Sequence, residues 1–229
     1  MGKTICTAVA AVLLLGNAFS GRGAEAPVKT FRLDSVDGLE AAASKAEVAM
    51  YRGRKAVRLV PVPEHEGSDN TMLAIVKASS LKDGVITTEI AGAPSPGAPS
   101  DARGFVGIAF RVQPDGSHYE CFYIRPTNGR ADDQLRRNHS TQYVSSPDYP
   151  WHRLRKESPG VYESYVDLES GAWTRIKIVV AGTQARLYVN GADQPVLIVN
   201  DLKLGETRGQ VALWADPTTD AYFSNLTIQ

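Results

Sequence analysis

Short runs in which apolar and polar residues alternate, rich in Val, Ile, Tyr, Phe and Thr, recur along the chain between breaks that contain Gly or Pro. A period of two places one side of each run on a core and the other outward, which is the pattern of β-strands. The runs are 30–35, 46–51, 55–60, 72–76, 84–91, 104–112 and 118–125, then 161–168, 173–181, 184–190, 195–199, 208–215 and 221–228. Residues 40–47 are Ala-rich and somewhat helical in character, but too short to stand alone as a helix. The pattern predicts an all-β, two-sheet antiparallel sandwich.

The clearest element is a hairpin. Ile176, Ile178 and Val180 point one way, Arg175 and Lys177 the other. Gly182-Thr183 suits a two-residue turn, with Gly supplying positive φ, and Asn190-Gly191 suits the next one. The stretch 91–103 is rich in Pro, Gly, Ser and Ala and flanked by strand patterns, which predicts a loop within one sheet. Between Arg125 and Val161 the strand pattern is weak. Loops longer than about 15 residues are uncommon and often functional, so this segment is the leading site candidate.

Alternation also assigns faces. Val106, Ile108, Phe110 and Val112 form a core face, as do Phe122 and Ile124, and Ile86, Thr88 and Ile90. That turns Gly107, Ala109, Arg111, Tyr119, Cys121, Tyr123, Arg125 and Glu89 the other way. If these strands are neighbours, Glu89, Arg111, Tyr123 and Arg125 converge on one polar, aromatic surface. Gly107 and Ala109 would leave room there for a ligand.

The N-terminus reads as an export signal. Lys3 precedes an apolar run over 4–15, and small residues follow at Ala18, Ser20, Gly23 and Ala24. The expected division is a signal peptide over 1–24 and one domain over 25–229, secreted or periplasmic. The apolar run is shorter than the roughly 20 residues that span a bilayer, so no membrane insertion is expected. The 229 residues carry 25 basic and 25 acidic side chains, a balance that argues against a general nucleic-acid binder. Cys6 falls in the signal and leaves Cys121 alone, so no intrachain disulfide is expected and the core must carry stability.

The segments WTRIKIVVAGTQARLYVNG (173–191), GQVALWAD (209–216), AYFSNLTI (221–228) and GFVGIAFRV (104–112) resemble strands of the concanavalin A-like lectin/glucanase superfamily. The similarity in style is greatest to its laminin-G-like and 3-keto-disaccharide hydrolase-like domains. The resemblance implies a jelly roll with carbohydrate as the ligand class. The Glu-x-Asp-x-Glu type of strand motif found in laminarinase-type glucanases of that superfamily is represented here only by Asp167-Leu168-Glu169, with Glu163 four residues before Asp167.

The long segment supplies the candidate chemistry. Basic residues outnumber acidic ones from 125 to 156, with Arg125, Arg130, Arg136, Arg137, Arg153, Arg155 and Lys156 against Asp132, Asp133 and Asp148. That excess favours an anionic ligand. Tyr143, Tyr149 and Trp151 offer flat faces on which a sugar could stack, while amides and guanidiniums hold hydroxyls. The ligand-binding set read here is Arg111, Tyr123, Arg125, Asn128, Arg130, Arg137, Asn138, Tyr149 and Trp151. Glu89, Asp133 and His139 are the candidates for catalysis, since glycoside hydrolysis needs a pair of carboxylates and His can move a proton. Asp148 and Glu163 are further carboxylates that could join such a pair.

No transition-metal spacing, nucleophile elbow or phosphate loop occurs, and no cofactor is expected. Calcium would suit Asp115, Asp216 or Asp220, each of which also reads as a turn former. His65 lies between Glu64 and Glu66 without an evident partner, and Asn138 and Asn225 sit in N-x-S/T sequons. The expectation is a saccharide-recognising domain. The alternatives are a hydrolase of the keto-disaccharide type and a protein-interaction module.

Overall fold

The computed structural model describes residues 27–62 and 71–229. The proposed signal peptide and His65 lie outside them. The strands are β1 (Lys29–Phe31), β2 (Leu39–Ala42), β3 (Ser44–Tyr51), β4 (Arg54–Pro61), β5 (Met72–Leu81), β6 (Gly84–Pro94), β7 (Val106–Val112) and β8 (Tyr119–Ile124). A one-turn 3-10 helix (Pro126–Asn128), α1 (Gln134–Asn138), β9 (Thr141–Ser146), α2 (Trp151–Glu157) and β10 (Glu163–Ser164) follow. The chain ends with β11 (Thr174–Ala181), β12 (Gln184–Val189), β13 (Leu197–Val199), β14 (Gly209–Ala215) and β15 (Thr219–Ile228).

Two antiparallel sheets result. The first runs β13-β12-β11-β6-β15-β4-β3, with β1 also on β15, and the second runs β10-β9-β8-β7-β14-β5-β2. Their inner faces make one core, with Ile86, Ile90, Ile178 and Phe223 from the first sheet and Ile108, Phe110, Phe122 and Leu213 from the second. Burial of these side chains supplies the main stabilisation, about 1.5–3 kcal/mol for each large one. The hairpin β11–β12 keeps Ile176, Ile178 and Val180 buried and Arg175 and Lys177 exposed, as its alternation predicts. Gly182, Asn190 and Gly191 all adopt positive φ at its turns.

Strands β7 and β8 differ: every residue in them is buried. A strand in a two-layer sandwich is covered on both faces only if something packs on its outer side. Here the segment after β8 folds back on that side.

Three expectations need correction. The stretch 91–103, expected as a loop within one sheet, begins inside β6 and its remainder crosses between sheets, because β6 belongs to the first sheet and β7 to the second. Residues 39–42, in the region read as helical in character, form β2, whose partner β5 supplies hydrogen bonds that local propensity does not reveal. The segment 126–160 is no structureless excursion. Thr141–Ser146 pairs with β8 along its whole length and extends the second sheet.

Candidate functional site

The outer face of the second sheet is built by register. Leu73, Trp214, Gly107, Tyr123, Gln142 and Glu163 lie side by side across six strands. The next outer row carries small or slim residues, Ala212, Ala109, Cys121 and Val144. Large rings therefore lean over a floor of small side chains. Cys121 is buried and free, and burial raises its thiol well above the ordinary range, so it is an inert part of that floor.

Two helices frame this face. α1 starts where the Asp133 side chain accepts the Arg136 backbone N–H at 2.6 Å, an ordinary N-cap. α2 starts after Pro150 and carries an Arg153–Glu157 pair at 2.9 Å one turn apart. Asn128 and Arg136 brace α1 against the 3-10 turn: the Asn128 amide donates to the His139 carbonyl and accepts from Arg136 Nε.

A cleft of about 600 Å³ opens on this face. Tyr119, Tyr123, Trp214 and Phe105 give it aromatic walls, and Trp151 and His152 enter from α2. Trp214 stacks on Tyr123 and donates its indole N–H to the Tyr119 hydroxyl at 3.3 Å, while Thr71 meets the same hydroxyl at 3.0 Å. Burial pushes the Tyr123 phenol up to about 12, so it stays protonated at physiological pH. Trp151 is 44% exposed, with the Arg155 guanidinium over its ring, so part of the indole is open to a ligand.

Beside it lies a second cleft of about 650 Å³, reached by His139, Asn138, Arg155, Glu163, Leu135 and Tyr165. Glu163 is its anchor. Arg125 donates to it at 3.1 Å, Arg155 Nε at 2.9 Å, and Arg155 Nη2 makes a further short contact. Burial alone would raise this carboxyl, but the hydrogen bonds from Arg155 and Arg125 prevail and hold it below the ordinary glutamate range. Arg125 continues inward to the Tyr123 hydroxyl and Gln142 Oε1. His139 stands 3.5 Å from Glu163, and desolvation keeps its imidazole below the usual value.

Among the residues expected at the site, Tyr123 and Trp151 line the first cleft and Asn138 and His139 the second, with Arg125 behind Glu163. The others go elsewhere. Glu89 is on the first sheet, paired with Arg54 and Asn225, because β6 joins β11 and β15 and not β7. Arg111 is also displaced. A bulge opposite Val211 puts it at φ 53° and turns it into the end of the sandwich, where it donates to the carbonyls of Lys82, Gly182 and Gly205. Arg130 clamps Asp167 and Glu169, which ties up the Asp-Leu-Glu motif. Arg137 lies over Tyr165, and Tyr149 is covered by Arg153 at 4.3 Å. Asp133 and Asn128 hold α1. Trp214, Tyr119, Phe105 and Arg155 complete the clefts. Sequence reasoning missed Trp214, because its place beside Gly107 depends on the pairing of β14 with β7, which is not a local property.

Among the described residues, no group of three or more His, Cys, Asp or Glu side chains is gathered for a metal ion, and no helix is long and apolar enough to cross a membrane. Asp115 accepts the Ser117 N–H, Asp216 the Thr218 N–H, and Asp220 pairs with Arg58.

No family model matches the chain, and no curated protein matches it. Solved structures do. Carbohydrate binding module CBM66 from Bacillus subtilis superposes with a TM-score of 0.55 at 14% identity, over 84% of this chain and 96% of that one. A Bacillus subtilis protein of unknown function with a galectin-like fold gives 0.58 at 12% identity, over 88% and 94%. Winged bean acidic lectin, complexed with methyl-α-D-galactose, gives 0.53 at 10% identity, over 88% and 98%. At such identities the likeness concerns the fold: the chain is a two-sheet antiparallel jelly-roll sandwich of the concanavalin A-like type.

Proposed function

We propose that the protein is an exported carbohydrate-binding domain, secreted or periplasmic, that holds a saccharide on the outer face of its second sheet without cleaving it. The observation that carries this reading is the aromatic cleft, in which the half-exposed Trp151 faces a floor of Tyr119, Tyr123 and Trp214. Apolar ring faces suit the C–H faces of a sugar, and Thr71, Ser146 and His152 at the same cleft suit its hydroxyls. The fold neighbours that are a carbohydrate binding module and a lectin support the ligand class. An anionic saccharide suits the face best, because two guanidiniums meet at the single Glu163 carboxylate.

Binding is favoured over hydrolysis by the supply of carboxylates. Asp216 is the one carboxylate of the first cleft among the described residues, and its Oδ1 is taken by Thr218. Glu163 is the one of the second, and it is neutralised by arginine. A glycosidase of the usual kind needs two carboxyl groups facing one bond, one of them able to give up a proton.

A glycan array followed by product analysis on each hit tests this reading. Retention of intact glycans is expected. Trp151→Ala should weaken binding by about tenfold or more, ~1.4 kcal/mol, with an unchanged melting temperature. Turnover of a bound glycan would replace the reading by the hydrolase one. Indifference to every glycan would favour a protein-interaction module.

A further inference from the structure

The two clefts share a wall. Trp151, at the start of α2, lines the first, and Arg155, four residues on, lines the second. Residues at that spacing lie about 5–6 Å apart on one helix face. The Arg155 guanidinium carbon is 4.6 Å from the centre of the Trp151 ring. The top of the wall is open, since the Arg155 side chain is 33% exposed beside the exposed indole.

The far side of the wall has its own platform and its own charge. Leu135 is 67% and Tyr165 42% exposed at the second cleft, with the Arg137 guanidinium lying over the Tyr165 ring. Among the described residues Glu163 is the only carboxylate lining the cleft, and it is shared by Arg125 and Arg155. Two positive groups against one negative leave a positive excess. Arg155 gives Nε and Nη2 to Glu163, while its Nη1 has no hydrogen-bond partner among the described residues. The Asn138 side chain accepts from Gln134 through its oxygen and keeps its amide N–H groups for the cleft.

We infer that the second cleft is an acid-recognising subsite, taking the carboxylate or sulfate of a sugar residue linked to the one stacked on Trp151. The ligand is then an acidic oligosaccharide lying across the Trp151–Arg155 wall. This rests on the saccharide reading of the first cleft. Arg155 supplies the free guanidinium edge, Asn138 an amide donor, and the exposed parts of Leu135 and Tyr165 an apolar flank.

His139 gives the subsite a pH signature. Its imidazole is held down first by burial, is raised by Glu163, is lowered by Arg155 and Arg125, and is raised by Asp133. A bound anion offsets the two guanidiniums and favours the imidazolium. Binding of an acidic ligand therefore takes up protons and strengthens as the pH falls toward the titration range of His139, whereas binding of a neutral ligand at the first cleft does not.

Calorimetric titration of the whole protein with short neutral, uronate-bearing and sulfate-bearing oligosaccharides of matched linkage tests the inference. The acidic members should bind about tenfold more tightly than the neutral ones, and added salt should erase the difference. Arg155→Leu should remove the acid preference, lowering acidic affinity more than neutral affinity because it also takes the group packed on Trp151, with Glu163 still held by Arg125. Arg155→Lys should restore part of the preference. Tyr165→Ala, an exposed position that leaves the core alone, should weaken the acidic ligands only. Equal affinity for neutral and acidic members overturns the subsite and leaves the saccharide reading standing. Binding of none of them overturns both. The uronate and sulfate arms tell which acid the subsite prefers.

Discussion

Trp214 and Tyr123 flank Gly107 in register and stack over it, with ring centroids 4.6 Å apart and planes 14° from parallel. Neighbouring strands are about 4.8 Å apart, so side chains two strands apart begin roughly twice that distance from each other. The rings meet because the strand between them contributes no side chain. An added Cβ at Gly107 would lie 2.2 Å from the Phe122 carbonyl oxygen and 2.6 Å from the Tyr123 Cα. Gly107→Ala should therefore cost about 1–3 kcal/mol, the range of core overpacking. It should also spread the floor of the first cleft. Denaturant unfolding checks the first effect and saccharide titration the second.

The end of the sandwich depends on Arg111 in a different way. Its guanidinium is wholly buried and satisfies carbonyls from three turns, Lys82, Gly182 and Gly205. Arg111→Met keeps much of the volume but takes its donors from the Lys82 and Gly182 carbonyls and leaves the Gly205 carbonyl with the Thr207 N–H alone of the two. A loss of about 3 kcal/mol or more is expected, with saccharide affinity unchanged in the fraction that folds. Thermal melting and titration on the same sample separate the two.

The contrast between these residues shows what the pattern of the chain reveals. Alternation in 118–125 turned Tyr123 and Arg125 to one face, and the strand does so, because a regular pleat has a fixed period. The same reading placed Arg111 beside them, and a bulge re-aimed it; an inserted residue leaves no mark in the spacing of apolar positions. Glu89 was assigned the correct side of its own strand but the wrong sheet, since sheet membership is decided by partners far along the chain. β9 escaped notice because Thr141, Gln142 and Ser145 are polar yet buried, covered by the segment around α2 and β10. The Asp133 cap was open to view, with a carboxylate ahead of Gln-Leu-Arg-Arg, but the chemistry of the residue drew it toward catalysis.

Glu163 gives the fold a defined acid response. Its carboxyl is held below the ordinary value when folded, because the donors Arg155 and Arg125 outweigh burial. The unfolded chain then binds the proton more readily. The stabilisation from this group is complete above the unfolded value, about 4.3, and is lost as the pH falls from there through the lower folded value. Glu163→Gln should flatten that part of the stability curve. The variant should also be less stable than the wild type at neutral pH, where two guanidiniums would face an uncharged amide. Urea unfolding across the acid range measures both.

Asp133 distinguishes a capping carboxylate from a reacting one. Asparagine caps a helix about as well as aspartate, whereas alanine does not, at a cost of about 1 kcal/mol. Asp133→Asn should therefore leave both stability and glycan handling as they are, and Asp133→Ala should lower stability alone. Removing the charge while keeping the cap takes away only the capacity to transfer a proton. A glycan product that forms with the wild type and disappears with Asp133→Asn would assign this residue to catalysis and would make the second cleft, through the neighbouring His139 and Glu163, an active site.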